Sequence, residues 1–189
     1  MKSNNLNEEE LSSEGIEIKN IVAKIDLSIE LDLSYLNTQL PNSTYEPGKY
    51  PSLIFRPDNL PTILITNSGI LLFTGGDSKK AIYEAYQVIS SELESVGLPN
   101  TGDKNEIKIQ NVVSTLDLDR SLNLNIISVE LGLENIEYEP EQFPGLIYRI
   151  TDGPVVLIFA SGKIVITGGK SNQDIINAAS VVRNKIQNN

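Results

Sequence analysis

Apolar and polar residues alternate through IVAKIDLSI (21–29), the period of a half-buried β-strand. A short stretch of helical pattern follows, LSYLNTQL (33–40). LIFR (53–56), TILIT (62–66) and ILLFT (70–74) are β-rich segments separated by Pro and Asn-Ser-Gly turns. The spacing then changes. Ser78 is placed to cap a helix whose apolar positions are Ile82, Tyr86, Ile89, Leu93 and Val96, and Gly97 suits its end.

The whole pattern then recurs. NVVSTLDL (111–118) alternates like the first strand, SVELGL (128–133) supplies the short helix, and LIYRI, VVLIFA and KIVIT supply the strands. Ser171 caps a helix carrying Ile175, Ala179, Val182 and Ile186 on one stripe. The phrase TYEPGKYPSLIFR (44–56) returns as EYEPEQFPGLIYR (137–149), with seven of thirteen positions identical at an offset of 93. KNIVAKIDL (19–27) matches QNVVSTLDL (110–118) at an offset of 91. The chain therefore divides into a first copy at 19–97, a polar linker at 98–108 and a second copy at 109–189. Each copy predicts an α+β unit, and two pseudo-symmetric units sharing one antiparallel sheet are the economical arrangement.

Composition narrows the chemistry. There is no Cys and no His, which removes disulfides, zinc fingers, thiolate nucleophiles and the commonest general base. Acidic strings such as DLSIELDLS (26–34) fit the solvent side of alternating elements better than a catalytic pocket, so no catalytic residue, metal or cofactor is expected. GGKS (168–171) resembles the end of a phosphate-binding loop, but the pattern needs Gly where Ile164 stands. The formal net charge of −10 argues against nucleic acid unless cations are gathered on one surface. Residues 1–18 hold one Lys and five Glu, a net of −4, which leaves −6 for the rest. That acidic tail has no apolar periodicity and is expected to be disordered. It is too polar for a secretory signal, and no apolar run approaches membrane-span length, so neither a membrane nor export is expected.

QNVVSTLDL, YEPEQFPGLIYR, LIFASGK and VITGGK, in that order and twice over, resemble the TATA-box-binding protein family, archaeal branch, across roughly residues 19–187. The resemblance implies one saddle-shaped, curved antiparallel sheet with helices on its convex face and DNA on its concave face. It implies a transcription initiation factor that binds and bends TATA-like double-stranded DNA through the minor groove and recruits transcription factor B, in the cytoplasm at the nucleoid. No small-molecule substrate is implied. Minor-groove bending by apolar wedges is established for that family. The groove-facing positions it implies are Asn111, Val113, Leu157, Val165 and Thr167, with the Asn amide donating to base acceptors. Phe143 and Phe159 match the wedge pair, Arg149, Lys163 and Lys170 match phosphate-contacting cations, and Glu139 and Glu141 match the loop that contacts transcription factor B.

The first copy departs from this pattern. Asn20, Val22, Leu64, Leu72 and Thr74 keep the groove face, and Lys49 and Arg56 keep two cations. Tyr50 and Thr66 stand where the wedge pair is expected, Ile70 and Asp77 replace two lysines, and Glu46 keeps one loop acid while Gly48 replaces the other. Exchanging Phe for Thr removes about 2–3 kcal/mol of apolar contact. Five cations (Lys49, Arg56, Arg149, Lys163, Lys170) would give a log–log salt slope of about −4 to −5 if all engage. The alternative expectation is a divergent paralogue with weakened DNA binding that acts mainly through protein partners.

Overall fold

The computed structural model describes residues 6–98 and 107–186. Residues 1–5 of the tail and 99–106 of the linker lie outside the described residues. In chain order the elements are α1 (Glu8–Ser13), β1 (Glu17–Asp26), α2 (Leu33–Gln39), β2 (Ser43–Thr44), β3 (Leu53–Phe55), β4 (Thr62–Ile65), β5 (Ile70–Gly76) and α3 (Lys79–Ser95). The second half adds β6 (Lys108–Asp117), α4 (Leu124–Leu131), a 3-10 turn at Leu133–Asn135, β7 (Ile136–Glu137), β8 (Gly145–Arg149), β9 (Val155–Phe159), β10 (Lys163–Gly169) and α5 (Asn172–Ile186). They form two compact units, one of residues 20–110 and one of residues 1–19 with 111–189.

In the first unit the strands run in the order β2-β3-β4-β5-β1, each pair antiparallel. Strict alternation sends Ala23, Ile25, Leu53, Phe55, Ile63, Ile65, Leu71 and Phe73 to one side, where all are buried. The apolar stripe of α3 (Ile82, Ala85, Tyr86, Ile89, Leu93) is buried with them, as are Leu33 and Leu36 of α2. Ser78 accepts from the Ala81 amide at 3.2 Å to start α3. At its other end Gly97 (φ 86°) donates to Glu94 and Leu98 donates to Leu93, the paired bonds that close a helix with glycine in the left-handed region.

The second unit repeats the order as β6-β10-β9-β8-β7. Its core joins Val112, Leu116, Leu146, Val156, Ile158, Ile164 and Ile166 to Ile175, Ala178, Ala179, Val182 and Ile186 of α5. The short helix starts at Leu124, capped by Asn123, earlier than SVELGL suggested. The last turn of that stretch is instead the 3-10 turn after Gly132 (φ 89°).

The tail is the main correction. Disorder was expected over residues 1–18, yet residues 8–13 form α1 and β1 begins at Glu17. Six residues do not hold a helix by themselves, so the order comes from docking. Leu6, Leu11 and Ile16 are buried, and α1 packs on α5. Asn172 clasps the start of α1. Its Oδ1 accepts from the Asn7 amide at 2.9 Å, and its Nδ2 donates to the Asn7 carbonyl at 2.8 Å and to the Glu10 carboxylate. Arg183 closes the other end, donating to the carbonyl and carboxylate of Glu14.

Candidate nucleic-acid interface

Each half-sheet has a second face that no helix among the described residues covers. In the second unit, alternation places Asn111, Val113 and Thr115 of β6, Ile147 of β8, Val155, Leu157 and Phe159 of β9, and Val165 and Thr167 of β10 on that face, all half-buried. Leu157 lies opposite Val165 and Ile147 opposite Leu157, so a continuous apolar row crosses three strands. In the first unit Asn20, Val22, Lys24, Ile54, Thr62, Leu64, Leu72 and Thr74 occupy the same face, with Leu64 opposite Leu72.

The glycine pair in GGDS and GGKS builds one feature of this face. Both sites carry a β-bulge, between Ile21 and Ala23 in one unit and between Thr167 and Gly169 in the other. Gly75 (φ 89°) and Gly168 (φ 93°) take the left-handed conformation that the bulge requires. Their freed amides donate to Asn20 Oδ1 and Asn111 Oδ1, each at 2.7 Å. Since the amide oxygen is committed to the backbone, each Asn keeps its NH₂ for an outside acceptor. A surface lined by such donors and apolar groups suits A·T pairs, whose minor-groove edges offer only acceptors. The motif that resembled a phosphate loop is therefore a bulge followed by a helix cap. Ser171 Oγ accepts from the Asp174 amide, and the Asp174 carboxylate accepts from the Lys170 amide, as at a capped helix start.

The repeated YEP phrase is a tight turn. The Glu139 carbonyl accepts from Gln142 and Phe143, and the Glu46 carbonyl accepts from Lys49 and Tyr50. In the second unit the turn brings Phe143 edge-on to Phe159, with ring centroids 5.8 Å apart and planes at 65°. Gly145, paired with Phe159 across β8 and β9, makes the room: a Cβ there would meet Phe143 at 2.8 Å and Phe159 at 3.1 Å. The matching place in the first unit differs. Tyr50 is 54% exposed, and the Thr66 hydroxyl is engaged in the β4–β5 turn. It accepts from the Ile70 amide at 3.0 Å and bonds Ser68 Oγ at 3.0 Å. Thr66 thus closes a hairpin and forms no ring pair.

The candidate cations stand at the edges of the two faces. Lys163 begins β10, Lys170 follows it and Arg149 ends β8; all three are exposed. Arg149 Nε donates to Glu137 Oε1 at 2.9 Å. That hydrogen bond, then the guanidinium charge, holds the Glu137 carboxyl below its ordinary range and raises Arg149. Lys49 pairs with Glu46, and Arg56 is exposed just beyond β3. Asp77 is exposed after β5, where the second unit has Lys170. Glu139 and Glu141 lie exposed in the loop between β7 and β8, and the Glu139 carboxylate accepts from the Gln142 side-chain Nε2. Lys24, Thr115, Ile54 and Ile147 are face positions that the sequence reading did not single out. Alternation from Val22, Val113 and the LIFR and LIYR runs was the signal that could have found them.

Known proteins resemble this chain over most of its length. The family model described as "Transcription factor TFIID (or TATA-binding protein, TBP)" matches residues 15–96 and 106–189. TATA-box-binding protein D of Halobacterium salinarum is 42% identical over 173 residues, 90% of this chain and 92% of that protein. TATA-box-binding protein 2 of Methanosarcina mazei is 41% identical over 180 residues, 94% of this chain and 98% of that protein. The solved structure of Methanococcus jannaschii TBP aligns with a TM-score of 0.82 at 41% identity, covering 92% of this chain and 99% of that one. Two matched repeats, an α+β fold shared with a solved relative and similarity over most of the chain lead to one conclusion: the chain belongs to the TATA-binding protein family.

Proposed function

We propose that this chain is a transcription initiation factor that binds A/T-rich promoter DNA through the minor groove, bends it and recruits transcription factor B. The observation that carries the proposal is the Phe143–Phe159 edge-to-face pair at the border of an uncharged, donor-bearing face. Two rings held by a tight turn and a glycine are pre-formed to enter a base step, with little side-chain entropy left to lose. Asn111, Val113, Leu157, Val165 and Thr167 of the second repeat would face the groove floor, as would Asn20, Val22, Leu64, Leu72 and Thr74 of the first. Arg149, Lys163 and Lys170, with Lys49 and Arg56, would meet phosphates. Glu139 and Glu141 would meet transcription factor B. The bend is unequal. The second repeat wedges, while Tyr50 and Thr66 leave the first repeat to follow the groove. The family role is not enzymatic, and no residue here is assigned a catalytic step.

A second reading, a paralogue acting mainly through protein partners, is favoured by one observation: the Thr66 hydroxyl is engaged in its own turn. A mobility-shift assay separates the two. A shifted TATA duplex, strengthened by transcription factor B, is the expected result. No shift even with transcription factor B present rejects the leading reading, and tight binding by the isolated protein rejects the second.

A further inference from the structure

The half-buried residues on the open face of β1, β3, β4 and β5 are apolar, Thr or Asn with a single exception, Lys24. Lys24 follows Val22 by two positions on β1 and sits opposite Leu72 of β5. The matching place in the second repeat, 91 residues on, holds Thr115 opposite Val165. Meanwhile Lys163, opposite Asp117 at the end of the second repeat's sheet, is matched in the first by Ile70 opposite Asp26. The first repeat has therefore lost its cation at the strand end and gained one in the middle of the face. No carboxylate among the described residues pairs with Lys24. The nearby Asp26 accepts from the Ser28 amide instead.

An ammonium in that position has a definite preference. It is a donor only, with three N–H groups and no acceptor. A·T and T·A pairs present only acceptors in the minor groove, whereas G·C adds the N2 amine, another donor. Thr115 can donate or accept and is indifferent by comparison. The first repeat also lacks the ring pair with which the second can favour easily unstacked steps. We infer that Lys24 is a specificity-determining residue of the first repeat, reading the minor-groove edge by charge and rejecting G·C pairs beneath it. This rests on the reading of the open face as the DNA-binding surface.

The test is fluorescence anisotropy of the full chain on an all-A·T element and on versions carrying one G·C pair at each position in turn, over a range of salt. Lys24→Thr, which copies the second repeat, is compared with Lys24→Met and wild type, and circular dichroism checks that each folds. The expected result is weaker binding of the A·T element, with a salt slope smaller in magnitude by about 0.9. The G·C penalty should fall by about fivefold or more at one or more positions, since a good base contact discriminates by about 1 kcal/mol or more. An unchanged G·C profile with a reduced slope puts the ammonium on a phosphate and overturns base reading. An unchanged profile and slope overturns any contact. If wild type fails to bind the A·T element at all, the proposed DNA-binding function falls and takes this inference with it.

Discussion

Ser114 shows how one atom can stand outside an otherwise consistent core. It lies on the helix-facing side of β6, fully buried, and among the described residues its Oγ is the buried side-chain polar atom without a partner. The matching residue in the first repeat is Ala23. A hydroxyl enclosed without a hydrogen bond is destabilising, so Ser114→Ala should stabilise the protein by about 1 kcal/mol. For a chain of this size that corresponds to a rise of about 2–4 °C in Tm by calorimetry, and a fall would show that the hydroxyl is satisfied. The exposed Glu137–Arg149 pair makes a different residue-level prediction. Because the folded carboxyl is held below its ordinary range, the pair's contribution is full above the ordinary carboxylate value and is lost as pH falls through the lowered one. At neutral pH Glu137 therefore competes with phosphate for Arg149 throughout. Glu137→Gln should tighten DNA binding and steepen the salt slope by up to about 0.9. An unchanged slope in a salt titration would mean that Arg149 does not reach the backbone.

Among the elements, α1 is the one that leans most on tertiary contacts. Its one leucine, Leu11, stands five residues after the buried Leu6 that precedes the helix, which is no helical stripe. Its order depends on Asn172 and Arg183, more than 160 positions away. The local signals were the Asn7 cap, which accepts from the Glu9 and Glu10 amides, and the three glutamates of the first turn, but six residues need the docking as well. The strands were legible because a sheet covered on one face imposes strict alternation, and IVAKIDLSI and VVLIFA display it openly. Helix ends were legible too, since Ser78, Gly97 and Ser171 act through local geometry. Phe143 and Phe159 were picked out by the family resemblance and not by their spacing; the ring contact between them depends on the YEP turn and on Gly145. The site was not legible where a hydroxyl's partner depends on the turn, as at Thr66. Leu11→Asp places a charge in a fully buried position and should release α1 from α5. Limited digestion with a glutamate-specific protease should then cut at Glu8–Glu14 in the variant and spare wild type. Equal cutting of both would mean that the tail is not docked.

Taken as a whole, the molecule is acidic, with a formal net charge of −10, yet its two open faces are lined by apolar, Thr and Asn side chains, with Lys24 as the half-buried charge. On the proposed DNA-binding reading, attraction comes from a few edge cations acting against a repulsive background, so the salt slope is set by those few contacts and is partly offset as salt screens the repulsion. The asymmetry between repeats follows the same logic. One carries a preassembled ring pair and three edge cations; the other has a threonine locked in its turn, an aspartate where a lysine is expected, and Lys24 at the centre of its face. The most direct measurement is energy transfer between dyes at the two ends of a TATA duplex, titrated with wild type, Phe159→Ala and Thr66→Phe. Wild type should bring the ends together, Phe159→Ala should abolish the change, and Thr66→Phe should increase it. Bending that survives Phe159→Ala, or a duplex that wild type leaves straight, would contradict a minor-groove clamp driven by the second repeat.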